Sequence, residues 1–389
     1  MNLLTKKIRI YKWDISFVTL IWFLLALIGV LLKIRLGRDQ IGNYLIYENV
    51  FWNAIHQINL YYVDPALHLG SYLYGPLFSI IIAPFSLLPT NLGCFLWNIA
   101  NAFFLFLAIR KLPVSYKAQN IILLISVLEM MTSVQNMQIN CFIAGLIIFS
   151  FIFVQKGKDF WATLFIAIGF LVKVYGIVGI AFFLFSRHKI NFILSFIFWL
   201  IILICLPMLI SSPSFVLHSY ADWYQTLIVK DNANSFSDMQ NISVMGMLRH
   251  IFKTEHLNLD IIVPAVLVYA LPFLRVSQLK NIGFRMSYLA LALIGVVIFS
   301  SSAESPTYII AVSGVGIWYI LQKPKDWPIV LLLIFTLLLT SVSSTDFFPR
   351  VLEVNYIRPY SLKALPCFLV WLVLAFQLLM KNFKDVKIP

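Results

Sequence analysis

The chain has 389 residues, of which 61% are hydrophobic and 12% charged. A soluble domain runs at about 45–50% apolar and about 25% charged, so this balance excludes an ordinary soluble protein and points to one whose solvent is lipid. The formal net charge of +13 does not point to nucleic acid, because the basic residues sit in short connections between apolar runs.

In chain order, Lys6, Lys7, Arg9 and Lys12 precede a long apolar run without a small-residue cleavage site, which reads as a retained first span. A crossing helix needs roughly 17–25 apolar residues. The runs predict spans at 14–33, 90–109, 119–132, 138–155, 160–186 (one long or two short), 190–211, 261–274, 284–300, 306–322, 327–343 and 361–380. The expectation is one all-α polytopic membrane domain over 1–389, with about 10–12 transmembrane helices. Basic clusters such as Arg110/Lys111/Lys117, Arg187/Lys189, Lys323/Lys325 and Lys381/Lys384/Lys387 fall in the short connections, which the positive-inside rule places in the cytoplasm. The longer connections, 34–75, 212–260 and 344–360, are then non-cytoplasmic.

The first of these is the densest in chemistry, with Asp39, Glu48, Asp64, His56, His68 and many aromatics. In "NYLIYENVFWNAI", Tyr47, Phe51 and Ala54–Ile55 share one helical stripe, with Glu48 beside it. A carboxylate in a partly apolar loop suits general-base work on a hydroxyl. Segment 76–89, bracketed by Pro76 and Pro89 and interrupted by Pro84, is too short to span and predicts an interfacial or re-entrant helix.

Four amides, Gln135, Asn136, Gln138 and Asn140, crowd the start of the fourth span. Glu129 lies just before them, either a partner for Lys173 or a marker of the interface. Lys173 stands in "IGFLVKVYGIVGIAFFL", where a lysine at a helix centre costs about 2.5–3.5 kcal/mol on insertion scales. It either holds a phosphate or snorkels to the outer interface. Glu304 opens a span beside Pro306, where a carboxylate is also favoured by the helix dipole. The 212–260 segment combines aromatics, acids and amides that suit sugar binding or a solvated loop, and ends near Arg249. Arg350 and Arg358 could clamp a phosphate or meet headgroups. The four cysteines and six histidines show no metal-ligand spacing, and no phosphate-binding glycine loop is present.

Several of these features, in order, resemble the polyprenol-phosphate-mannose-dependent mannosyltransferases, multispanning glycosyltransferases of the GT-C type. The first span leads to the polar segment Asn43–Tyr47, then to the pair Leu60-Tyr61. Tyr74-Gly75-Pro76 and the helix ending Leu87-Leu88-Pro89 follow. The Gln-x-Asn motif matches Gln138-Ile139-Asn140, and the intramembrane lysine matches Lys173 in "KVYG". The likeness covers about 10–250 in order.

The resemblance implies a GT-C-like bundle with helices in its non-cytoplasmic loops. It implies inverting transfer of a hexose, mannose-like, from a polyprenyl-phosphate sugar to a hydroxyl of a glycan or glycolipid acceptor. The site would face the non-cytoplasmic side of the cell membrane, with membrane lipid around it and without cofactor or metal, the lipid-phosphate sugar being a co-substrate. The family's catalytic aspartate opens a D-x-x-x-Y segment, and here that position is Asn43, whose amide cannot take a proton. Glu48 and Asp39 are the nearest candidate bases, with Glu48 favoured as sharing a face with Asn43. Lys173, Gln138, Asn140, Arg249, Arg350 and Glu304 are the candidates for the donor's phosphate and sugar. The rival readings are a transporter or flippase using Lys173 and Glu304, and a non-catalytic lipid-binding protein.

Overall fold

The computed structural model describes residues 7–10, 13–63, 70–234, 237–254 and 258–384. Asp64, His68, Lys6, Lys12 and Lys387 lie outside the described residues. Two short strands, β1 (Lys7–Ile10) and β2 (Trp13–Ser16), pair antiparallel ahead of the first span. Every other regular element is helical among the described residues.

The first two helices are α1 (Phe17–Leu36) and α2 (Gly42–His56), followed by α3 (Phe78–Ser86) and α4 (Thr90–Arg110). Next come α5 (Tyr116–Gln135), α6 (Asn140–Gln155), α7 (Asp159–Val172) and α8 (Lys189–Cys205). The second half carries α9 (Pro213–Asn234), α10 (Val244–Phe252), α11 (Asn258–Ala270), α12 (Ile282–Ile298) and α13 (Tyr308–Leu321). It ends with α14 (Trp327–Thr336), a single turn α15 (Arg350–Leu352) and α16 (Ala364–Met380). Among the described residues, four helices are long and apolar enough to cross a membrane, and eight shorter apolar ones accompany them. The protein is an all-α polytopic membrane protein. Lipid offers no hydrogen-bond partners, so each crossing must satisfy its backbone within itself, and apolar runs of this length become helices.

The 160–186 run resolves into two pieces, α7 and a 3-10 helix over Val174–Phe185, separated at Lys173. The 212–260 segment, read as a loop, is mostly α9 and α10. Its opening Pro213 suits a first helical position, where no N–H is needed. The nine-residue α3 carries Pro84 inside and is too short to cross, at about 1.5 Å per residue. Cys94, Cys141 and Cys367 are buried, whereas Cys205 is exposed.

The chain divides into two compact units. The first comprises 1–22, 112–132 and 231–389, and the second 23–111 and 133–230. In the first unit α12 and α13 are almost wholly buried and pack on each other and on α16. Their approach is close: a methyl group on Gly314 would stand 2.8 Å from the Ala290 carbonyl oxygen. In the second unit α6 packs between α4 and α7, and α7 also meets α8. The outward α8 leaves Ile190, Leu194 and Ile201 exposed. An apolar surface on an apolar helix is what lipid contact calls for.

Candidate functional site

The site forms in the second unit because α7 stops short. Lys173 is extended (φ −143°, ψ 119°), and the chain doubles back past it. Gly176 lies so close to α7 that a methyl group there would stand 2.3 Å from the Gly169 carbonyl carbon. Onto this broken end the segment between α2 and α3 is seated. Gly75 N donates to Val172 O at 3.0 Å, and a methyl group on Gly75 would stand 1.9 Å from Leu171 O. Both contacts require glycine. They bring both Tyr74 and Tyr175 near Lys173.

Lys173 Nζ donates to Asn140 Oδ1 at 2.7 Å and lies 4.6 Å from the Tyr175 ring centre and 5.9 Å from that of Tyr74. Aromatic faces are favourable ground for an ammonium. Asn140 opens α6 and is fully buried; its Nδ2 has no hydrogen-bond partner among the described residues. Two residues earlier, Gln138 Oε1 accepts from the Tyr74 hydroxyl at 2.9 Å. Tyr74 spends its proton there, so the Tyr47 hydroxyl, 3.1 Å away, donates to Tyr74.

The turn joining α5 to α6 closes on itself through Gln138 N to Ser133 O, 3.0 Å, with Met137 at φ 54°. Asn43 clamps the same turn, its Nδ2 donating to Asn136 O at 2.8 Å. Behind these groups Tyr47, Phe78 and Trp97 form an aromatic wall, with centres 5.0 Å (Tyr47–Phe78) and 5.6 Å (Phe78–Trp97) apart. Lys173, Gln138, Asn140 and Asn43 therefore come together, as a lysine, two amides and a clamp.

The candidate bases have other surroundings. Five residues turn a helix by about 140°, so Asn43 and Glu48 leave α2 in different directions. Glu48 accepts from the Thr90 hydroxyl at 3.0 and 3.2 Å. Burial raises its carboxyl above the usual glutamate range, against the opposing pull of Thr90 and Arg38. Asp39 is exposed on a single 3-10 turn, Arg38–Ile41.

Arg249, Arg350 and Glu304 belong to the first unit. Arg249 is buried on α10 and donates to Asn258 Oδ1 at 2.9 Å. Arg350 is exposed on α15. Glu304 precedes the short turn that starts α13, and its N–H donates to Thr307 Oγ1 at 3.3 Å, which suits a helix start. Glu129 pairs with Lys363 at 2.9 Å, so the alternative of Lys173 as its partner is corrected. Lys363 was not foreseen. Its place at the edge of the 361–380 run was the available signal, and the serines that complete its shell lie 19 and 58 residues away.

Tyr47 and Tyr74 entered the sequence reading only as a stripe position and a motif letter. Their shared hydrogen-bond line to Gln138 links residues 27 and 64 apart, which no local pattern reports. Among the described residues no group of three or more His, Cys, Asp or Glu assembles.

The family model of glycosyltransferase family 87 matches residues 72–301, more than half of the chain. The chain belongs to glycosyltransferase family 87. It is a membrane glycosyltransferase, and its partners are a sugar donor and an acceptor. No curated protein matched the chain significantly. The matched stretch holds Tyr74, Gln138, Asn140 and Lys173, whereas Asp39, Asn43 and Glu48 precede it.

Proposed function

We propose that this family 87 glycosyltransferase moves a hexose, mannose-like, from a polyprenyl-phosphate sugar to a hydroxyl of a glycan or glycolipid, with inversion. The observation that carries the reading is the Lys173–Asn140 pair, 2.7 Å between Nζ and Oδ1, at the broken end of an apolar helix. Lys173 is half-buried, so its ammonium is desolvated enough to bind strongly and open enough to meet a ligand. A phosphate presents acceptor oxygens only, and an ammonium with amide N–H groups is the complementary set.

In this reading Lys173 holds the donor phosphate, assisted by Asn140 and Gln138. The Tyr47–Tyr74 line fixes the Gln138 amide by occupying its oxygen. The polyprenyl chain lies along lipid-facing helices such as α8. The acceptor approaches from the non-cytoplasmic face of the cell membrane, where the long connections gather by the charge rule. The reading asks for no cofactor or metal. It uses residues of the second unit alone, and leaves Arg249, Arg350 and Glu304 outside the reaction. Family membership favours transfer over the carrier and lipid-binding alternatives.

The test is direct. Purified protein with radiolabelled polyprenyl-phosphate mannose and a crude membrane acceptor transfers label. Lys173→Ala weakens donor binding by about 10–100-fold, the scale of a charged hydrogen bond. Donor affinity unchanged in Lys173→Ala would remove the phosphate role.

A further inference from the structure

Transfer to a hydroxyl needs a proton acceptor, and the second unit holds five carboxylates: Asp39, Glu48, Asp64, Asp159 and Asp222. Asp64 lies outside the described residues. Asp159 starts α7 while Lys173 follows its end, about 20 Å away at 1.5 Å per residue, and Asp159 accepts from Ser186 Oγ at 2.8 Å. Glu48 is engaged by Thr90, and Asp39 stands exposed on its own turn.

Asp222 is different. It projects from α9, and its Oδ2 accepts from Asn59 Nδ2 at 3.1 Å, while Asn59 Oδ1 accepts from Tyr61 N at 2.8 Å. The Tyr61 hydroxyl in turn donates to Tyr74 O at 3.1 Å. Its neighbour Trp223 donates from Nε1 to Leu73 O at 3.0 Å and packs where a Gly75 methyl would stand. Gly75 and Tyr74 are the residues seated against Lys173. The α9 carboxylate is thus fastened to the segment that lines the phosphate site.

Asp222 is only half-buried, and its Oδ1 takes no hydrogen bond among the described residues. Burial, reinforced by Tyr220 and by the nearby Asp222 charge, raises the Tyr61 phenol well above its ordinary value. Tyr61 therefore stays a donor and does not compete as a base. Asp222 also falls within the stretch matched by the family model.

We propose that Asp222 is the catalytic base of this enzyme. The inference rests on the transfer reading above. Asp222 takes the proton of the acceptor hydroxyl as that oxygen bonds to the anomeric carbon. The bond from that carbon to the phosphate oxygen breaks, and its electron pair leaves with the polyprenyl phosphate, held by Lys173. Asn59 keeps the carboxylate oriented by engaging one oxygen and leaving the other for the acceptor.

The test compares Asp222→Asn, Asp222→Glu and Asn59→Ala in the assay with radiolabelled polyprenyl-phosphate mannose and crude membranes. Asp222→Asn is expected to lower kcat by about 10²–10⁴-fold, the range of general-base catalysis, with donor binding unchanged. Asp222→Glu recovers part of the rate. Asn59→Ala, which cuts the clasp but keeps the carboxylate, stays within about tenfold of the parent, as loss of one hydrogen bond to a charged group allows. Parental kcat in Asp222→Asn overturns the base and leaves the transfer reading standing. A loss in Asn59→Ala as deep as in Asp222→Asn makes Asp222 a structural clasp and also overturns the base. If the parent enzyme transfers no label, the transfer reading fails and the base falls with it.

Discussion

Two lysines stand in apolar surroundings, one in each unit, and their shells differ. Lys363 is almost sealed, and its three N–H groups go to Glu129 Oε1 (2.9 Å), Ser305 Oγ (2.7 Å) and Ser344 Oγ (2.9 Å). Lys173 is half-buried, donates to a neutral amide oxygen and has two tyrosine rings nearby. A sealed ammonium facing a carboxylate has its charge cancelled where it stands and can only hold the fold. A half-buried ammonium beside an amide stands nearer to solvent than a sealed one. Lysine in an apolar segment is therefore not one signal but two, and the partner decides which.

The sharpest way to break this contrast is at Glu129. Glu129→Ala leaves the Lys363 charge buried without its carboxylate, and a loss of about 3–5 kcal/mol is expected. Thermal unfolding in detergent reads it. Replacing the pair instead as Glu129→Leu with Lys363→Met restores most of the loss, since an apolar pair of similar volume is often neutral or better. A Glu129→Ala protein that melts with the parent would make the pair dispensable and remove the contrast. By comparison Lys173→Ala is expected to spare the melting temperature while weakening donor binding.

A smaller effect is expected at Tyr74→Phe, which removes the hydroxyl that meets both Gln138 and Tyr47. The cost is about 1 kcal/mol, read as a several-fold weaker donor affinity with little change in melting temperature. Unchanged affinity would show that Gln138 needs no fixing.

The smallest effect belongs to Glu48→Gln. The folded Glu48 carboxyl holds its proton more tightly than the unfolded one, chiefly through burial. Its contribution to stability is therefore greatest at acid pH and is lost as pH rises through the folded value. Gln removes that slope, so melting curves of variant and parent converge at acid pH, and at neutral pH the variant melts at the same temperature or higher. A variant that melts lower at neutral pH, or transfers sugar more slowly, would bring Glu48 back as the charge the site needs.

Part of the candidate site was legible in advance. Lys173, Gln138 and Asn140 stand out because polar groups in apolar runs are expensive, which makes them candidates for function. Asp222 did not stand out. "SYADWYQ" sits in a polar stretch where one more aspartate costs nothing, and only the clasp to Asn59 gives it a position. Glu48 was expected to share a face with Asn43, but the two meet different partners, Thr90 and Asn136. Side-chain direction on one helix follows from spacing, whereas the partner it meets depends on how other helices are laid against it.

By itself the sequence determined the membrane class, the approximate positions of the spans, the break in the 160–186 run as one of two options, and the residues that are costly in lipid. These are local properties, because a segment in lipid must satisfy its own backbone whatever its neighbours do. Only the tertiary structure decided the partners: Lys363 with Glu129 across 234 residues, Tyr74 with Gln138 across 64, and Asn59 with Asp222 across 163. Pairing at such distances is chosen by packing, including the contacts that Gly75 and Gly176 permit, and no short window of sequence carries it.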